Sequence, residues 1–310
     1  MPELFQSSRA PPAATHTERS GKRRRGKFAW ALTPVWIVPA VILACAAALV
    51  TGPRAPAQQP ASSNSGVEQA SWISPATPSE HPWMPVLRWA QQERATIDRD
   101  VRDYSATIVS RERVGDKLEE YQSIFVKVRH RPLSIYVHVL APENHKGEEA
   151  IYVEGRNEGK LLGHATGIGR MVGTVALDPQ SPTAMNGHHH PINELGIRHL
   201  CQRLIDLGNN DVRFAESQIR FLSGLKLDGR PCTGVDVIHP VPRTNFQFHR
   251  LRLFVDEQLK LPARYEQYDW PQEPGGPPQL VEEYNFLNVQ VNNGFTDVDF
   301  DPHNPRYGFP

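Results

Sequence analysis

The chain has 310 residues, 39% of them hydrophobic and 22% charged, with 34 basic and 34 acidic side chains and three cysteines. Seven of the basic and two of the acidic residues fall in 1–50, leaving 27 against 32 and a net of −5 in the remainder. That balance excludes nucleic acid as a partner of residues 51–310, because phosphate binding needs a basic surface.

Residues 1–27 form a basic tail ending in Lys22-Arg23-Arg24-Arg25-Gly26-Lys27, and the next 23 residues, 28–50, carry no charge. A helix of that length spans the roughly 30 Å hydrocarbon core of a bilayer, and the basic cluster before it belongs on the cytoplasmic side. The expectation is one N-terminal transmembrane helix, a signal-anchor in the cytoplasmic (inner) membrane, which makes the membrane a partner through 28–50. Everything after it is then exported to the periplasm or cell envelope. Two other readings stand, cleavage near Ala46-Ala47-Ala48 and lipidation at Cys45. Residues 51–82, rich in Pro, Ala, Ser and Gln, read as a disordered linker, and 83–310 as the exported domain, long enough for a sizeable core. That domain holds two cysteines, Cys201 and Cys232. Two make no framework, so separate buried thiols are expected rather than a disulfide.

Within the domain, apolar Val86, Leu87, Ala90, Ile97 and Val101 share one face of a helix over 86–101. The period then changes to two. Strands are expected at 104–113, 123–129, 133–140, 150–154 and 160–164, the first two joined by a turn at 114–117. Pro191 opens a second helix running toward Gly208, with Ile197, Leu200, Cys201, Leu204 and Ile205 on one stripe. Alternation resumes at 217–222, 225–227, 235–238, 246–255, 263–268 and 280–289. Helix, strands, helix, strands is an α+β order built on an antiparallel sheet, and it excludes a doubly wound parallel one.

Several motifs resemble a known family. Asp103-Tyr104-Ser105-Ala106-Thr107, Arg111-Glu112-Arg113, Val128-Arg129-His130-Arg131-Pro132-Leu133-Ser134-Ile135-Tyr136, Gly147-Glu148-Glu149-Ala150-Ile151-Tyr152-Val153-Glu154-Gly155 and His190-Pro191-Ile192-Asn193-Glu194-Leu195-Gly196 resemble the uncharacterised bacterial family known as domain of unknown function 1571, over about 83–222. The C-terminal half, with Phe254-Val255-Asp256, Leu261-Pro262-Ala263-Arg264-Tyr265, Glu283-Tyr284-Asn285-Phe286 and the ending from Phe295 to Asp301, is similar in pattern to periplasmic outer-membrane lipoprotein carriers. This second likeness implies a curved antiparallel half-barrel with helices on its concave face and an apolar cavity that receives acyl chains. An uncleaved anchor departs from the free shuttling of such carriers.

Candidate chemistry is distributed. Phe125, Tyr136, Phe246, Phe248, Phe254, Tyr265, Tyr268 and Trp270 stand beside aliphatic residues in the strand pattern and are expected to line one apolar cavity. Among the three histidines of Gly187-His188-His189-His190, His188 and His190 are secondary candidates for a metal, with Glu194 or His199, although a polar loop entering a helix explains the run without one. The paired carboxylates Glu119-Glu120, Glu148-Glu149 and Glu282-Glu283 are expected to be solvated, since neighbours on a strand face apart. The glycine-rich stretch 167–173 reads as a flexible loop, and nucleophile and metalloprotease motifs are lacking. The leading expectation is thus a membrane-tethered envelope binding module, not an enzyme and needing no cofactor, for a lipid, an acylated protein (lipoprotein) or another apolar ligand. The alternatives are an envelope interaction or sensor domain with its cavity filled, and a metal-dependent enzyme.

Overall fold

The computed structural model describes residues 79–310, apart from Ala215 and the side chain of Ile168. The tail at 1–27, the apolar run at 28–50 and the linker through residue 78 lie outside the described residues. Among the described residues, no helix is long and apolar enough to cross a membrane.

Among the described residues, two α-helices, α1 (Trp83–Asp100) and α2 (Ile197–Asp211), accompany twelve strands. These are β1 (Asp103–Val114), β2 (Lys117–Leu118), β3 (Gln122–His130), β4 (Leu133–Ala141), β5 (Glu149–Val153), β6 (Leu161–His164) and β7 (Val175–Leu177) before α2. After it come β8 (Gln218–Leu227), β9 (Arg230–Ile238), β10 (Arg250–Asp256), β11 (Pro262–Asp269) and β12 (Gln279–Val291). All belong to one antiparallel sheet in the order β7-β6-β5-β4-β3-β1-β12-β11-β10-β9-β8, with β2 paired to β1 alone. Apart from β3, which follows the short β2, the non-sequential neighbour of β1 is β12, which joins the two meanders into a continuous surface.

Period-two alternation sorts side chains between the two faces of this sheet. Ile108, Ile124, Val126, Val128, Ile135, Val235, Val237, Leu251, Leu253, Tyr265 and Phe286 face the helices and are buried with Trp83, Val86, Ala90, Ile97, Ile197, Leu200, Cys201, Leu204 and Leu207. The helices touch closely because residue 208 is glycine: a Cβ there would stand 2.5 Å from Leu87 Cδ2. Each fully buried aliphatic side chain of this core contributes about 1.5–3 kcal/mol relative to exposure.

On the opposite face, residues 292–310 cover the part formed by β3, β4 and β5. Asp103 starts that crossing by accepting backbone N–H groups from Asn293, Gly294 and Phe295 at 2.6, 3.1 and 3.2 Å. Phe295, Phe300, Tyr307 and Phe309 then pack on Phe125, Tyr136, Ile151 and Val153. Tyr307 stacks on Tyr136 with ring centroids 4.0 Å apart.

Two expectations about elements are corrected. The second helix begins at Ile197, after a 3-10 turn at Ile192–Glu194, because Gly196 adopts φ +118° between them. Tyr104 Oη occupies the place a Cβ at residue 196 would take, and it accepts the Ile197 N–H at 3.1 Å. Residues 246–249 are loop rather than strand, with Phe246 and Phe248 buried by side-chain contact and not by ladder pairing. Within the loop expected at 167–173 lies a 3-10 turn, Gly167–Val172, whose Met171 is 89% exposed.

Candidate functional site

On the helix-facing side, the polar end of β1 meets the start of β12. Glu112 and Glu282 stand directly opposite each other in the β1–β12 register and are only 5% and 1% exposed. Two buried like charges side by side are unfavourable unless cations and donors surround them. Here they do. Arg203, from α2, donates to Glu282 at 3.0 Å and also reaches Tyr265 Oη at 3.2 Å and Gln267 Oε1 at 3.1 Å. His190 Nε2 lies 2.8 Å and His189 Nδ1 3.3 Å from Glu282, while the His189 backbone N–H donates to Glu112 at 2.5 Å. His188 Nδ1 is 3.5 Å from Glu112, which also accepts the Tyr284 hydroxyl. Burial alone would raise the Glu282 carboxyl; the His189 and His190 hydrogen bonds and the Arg203 charge overcome it and hold the group well below the usual carboxylate range. The same partner works in reverse on His189, which the Glu282 hydrogen bond holds above its ordinary value.

This cluster corrects the expectation that Glu282, Glu283 and Glu149 are solvated. All three are 1–6% exposed. Glu149 accepts from Tyr136 Oη at 2.9 Å and the Gly308 N–H at 2.8 Å, with His164 Nε2 at 3.1 Å. Glu283 is ion-paired to Arg264 at 3.1 Å. Glu282 and Glu283 do split across the sheet, as alternation requires, but the outward carboxylates are buried too, Glu149 under the C-terminal segment and Glu283 beside Arg264. The inward direction of Glu112 and Glu282 is readable from strand parity: Ile108, Ser110 and Glu112 are in phase, as are Phe286, Tyr284 and Glu282. Their partner Arg203 carried no signal in the sequence.

The aromatic residues expected to line one cavity are dispersed. Phe248 and Tyr265 are core on the helix side. Phe246 stacks on His239 at 3.8 Å, and Trp270 lies beside His249 at 5.9 Å. Phe125 and Tyr136 are on the far face under the C-terminal segment, and Phe254 is on the same face in a separate cluster with Cys232 and Ala263, flanked by Arg252 and Arg264. Tyr268, on the same face, donates to Glu266 at 3.0 Å. The physical reason is parity again: Phe125 is out of phase with Ile124 and Val126, and Phe254 with Leu253 and Val255. His188 and His190 are engaged by Glu112 and Glu282, and among the described residues no group of three or more His, Cys, Asp or Glu side chains is arranged to hold a metal ion. Cys201 and Cys232 are free thiols in separate clusters.

A cleft of about 170 Å³ lies where the segment leading into α2 crosses the sheet. Its walls are Val128, Leu133 and Leu195, with Tyr104, His130, Asn193, Gly196, Arg198 and His199 completing the lining. The segment 187–199 therefore does two things: its histidines dock on Glu112 and Glu282, and its remainder forms one wall of the cleft.

The chain belongs to the DUF1571 family, described as a protein of unknown function, whose model matches residues 101–309. The match starts beyond α1 and runs well past the 83–222 carried by the motifs. In structure the chain is similar to lipoprotein LppX of Mycobacterium tuberculosis, at TM-score 0.39 and 10% identity over 70% of this chain and 100% of that one. It is also similar to a putative outer-membrane lipoprotein-sorting protein domain from Vibrio parahaemolyticus (0.34, 12%, 69% and 95%) and to a LolA superfamily protein from Nitrosomonas europaea (0.30, 14%, 68% and 97%). No curated protein sequence matches the chain.

Proposed function

We propose that residues 79–310 form a binding module of the cell envelope for an amphiphile, a lipid or an acylated protein, held near the membrane by the apolar run at 28–50. The observation that carries this reading is the cleft beside the amino end of α2, whose lining combines aliphatic Val128, Leu133 and Leu195 with polar His130, Asn193, Arg198 and His199. An amphiphile needs both. At about 170 Å³ the cleft is below the roughly 300–1,000 Å³ of a site for a whole small molecule. It thus receives a head and the first few carbons, and a longer chain runs on only if the 193–199 segment lifts. The reading makes the Glu112–Glu282 cluster the fastening of that segment, not a catalytic pair, since its carboxylates are satisfied by histidine, arginine and tyrosine.

A second reading, a protein-interaction domain with no small ligand, is favoured by one observation: helices cover one face of the sheet and residues 292–310 pack over the β3–β5 part of the other. Copurification separates the two. Lipid extracted from full-length chain purified out of its native envelope should be present in the wild type and fall several-fold in Leu195→Glu, because a carboxylate in the cleft must be desolvated against an alkyl chain. Lipid absent from folded wild type, or present equally in both, leaves the interaction reading in front.

A further inference from the structure

The face of the sheet turned away from the helices carries a charged row beyond the part that residues 292–310 cover. Cross-strand register sets Arg220 (β8) opposite Asp236 (β9), and Asp236 opposite Arg252 (β10). Arg252 is opposite Glu266 (β11), Glu266 opposite Glu283 (β12), and Glu283 opposite Arg111 (β1). Ile219, Leu251, Tyr265 and Phe286, out of phase with this row on their strands, pack toward the helices. Six strands at about 4.8 Å spacing make the row about 24 Å long. Arg250 and Arg264 flank it, each two residues from a member of the row.

The two signs of charge sit at different depths. Asp236, Glu266 and Glu283 are buried, at 2%, 1% and 6% exposure. Arg250 places its fork on Asp236 at 2.7 and 2.8 Å, Arg252 reaches Glu266 at 3.3 Å, and Arg264 bridges Glu266 and Glu283. The side chains of these three arginines stay 34%, 27% and 28% exposed, so the surface presented outward is guanidinium. Arg220 is exposed and forms no ion pair among the described residues, since Arg250 already holds both oxygens of Asp236. With Arg111, five arginines face three carboxylates, a surplus of two positive charges in a chain whose residues 51–310 balance at −5.

This is a poor surface for a bilayer. Cations that serve lipid headgroups reach out on free stems, whereas Arg250, Arg252 and Arg264 are held down by the carboxylates beneath them. Phe254, buried between Arg252 and Arg264 with their guanidinium carbons 5.3 and 5.6 Å from its ring centre, offers no ring to insert. A guanidinium fork fixed in place suits a carboxylate, which it meets with parallel N–H donors, and arginine beside a desolvated aromatic ring is the composition of protein–protein hot spots.

Independently of the cleft, which lies on the helix side, we propose that this face docks an acidic segment of a partner protein. Its carboxylates meet the outward N–H groups of Arg220, Arg250, Arg252 and Arg264 across β8 to β11. Extended chain rising about 3.3 Å per residue spans the whole row in roughly seven residues.

The test is fluorescence anisotropy of the full-length chain in a nonionic detergent with two labelled peptides long enough to span the row, one alternating Glu and Ser, the other Gln and Ser. The glutamate peptide should bind at least about tenfold tighter at low salt and lose that margin as salt rises. Arg220→Glu, which disturbs no ion pair of the fold, should weaken it about fivefold or more, whereas Arg99→Gln at the end of α1 should leave it unchanged; circular dichroism checks folding. Equal binding of the two peptides to folded wild type, or glutamate binding untouched by Arg220→Glu, would overturn the proposal. Brominated phosphatidylglycerol that quenches a dye on Arg220→Cys, in vesicles holding the full-length chain, would assign the face to the bilayer and overturn it too. None of these results alters the lipid copurification expected of the cleft.

Discussion

Replacing Glu282 by glutamine keeps the side chain's shape and removes its charge from the centre of the buried cluster. Glu282 is 1% exposed and holds Arg203 at 3.0 Å, His190 at 2.8 Å and His189 at 3.3 Å. Deleting one partner of a buried pair costs about 3–5 kcal/mol. Arg203 retains Tyr265 and Gln267 and its side chain is 30% exposed, which places the expected loss near the lower end, about 3 kcal/mol. In a domain of this size that is a fall of about 6–12 °C in melting temperature. Urea unfolding of residues 79–310, followed by near-ultraviolet circular dichroism at several pH values, measures it. Because Glu282 is depressed in the folded state, its contribution is present above the unfolded carboxylate range, about pH 4.3, and is lost as pH falls further toward the folded value. His189 is raised in the folded state, so its contribution is complete below about pH 6.5 and is lost as pH climbs through the raised value. The wild type should therefore be most stable between these limits, and Glu282→Gln should flatten both flanks. A variant within about 0.5 kcal/mol of the wild type at pH 6 would refute the cluster as a fastening.

Gly196→Ala should destabilise by about 1–3 kcal/mol, since residue 196 has φ +118° and the Tyr104 hydroxyl fills the Cβ position; chemical denaturation reads the loss. Phe300→Ala should cost about 3–5 kcal/mol and expose 292–310 to limited proteolysis, because Phe300 is 2% exposed among Phe125, Tyr136, Ile151 and Val153. Cys201 and Cys232 are both 0% exposed, and burial pushes each thiol up, so neither should react with a disulfide reagent until the protein unfolds. Thiol titration with and without denaturant checks this.

The elements were legible wherever a single period ran uninterrupted. Val86, Leu87, Ala90 and Ile97 define α1, and the alternation of 123–129 defines β3, because half-burial imposes those periods directly. What the sequence does not carry is which face is which. With buried apolar clusters on both faces of the sheet, an aromatic residue is no marker of the helix side, and Phe125, Tyr136 and Phe254 look equivalent to Tyr265 although alternation points them the other way. Pro191, a good first-turn residue, signals a start for α2 six residues too early, while the feature that decides the matter, Gly196 against Tyr104, joins residues 92 positions apart. The buried carboxylates escaped for a related reason: adjacent glutamates read as solvent-facing until Arg203 and the three histidines are brought to them by tertiary contact. Parity with Ile108 and Phe286 held the direction of Glu112 and Glu282, but nothing local held their partners.

The most direct measurement is amide hydrogen exchange of the full-length chain with and without monooleoylglycerol. Binding at the cleft predicts added protection in 128–133 and 193–199, including the Ile197 amide that Tyr104 receives, and no change in 295–309 on the opposite face. Protection gained under the C-terminal segment instead, or nowhere in a folded chain, would contradict the account.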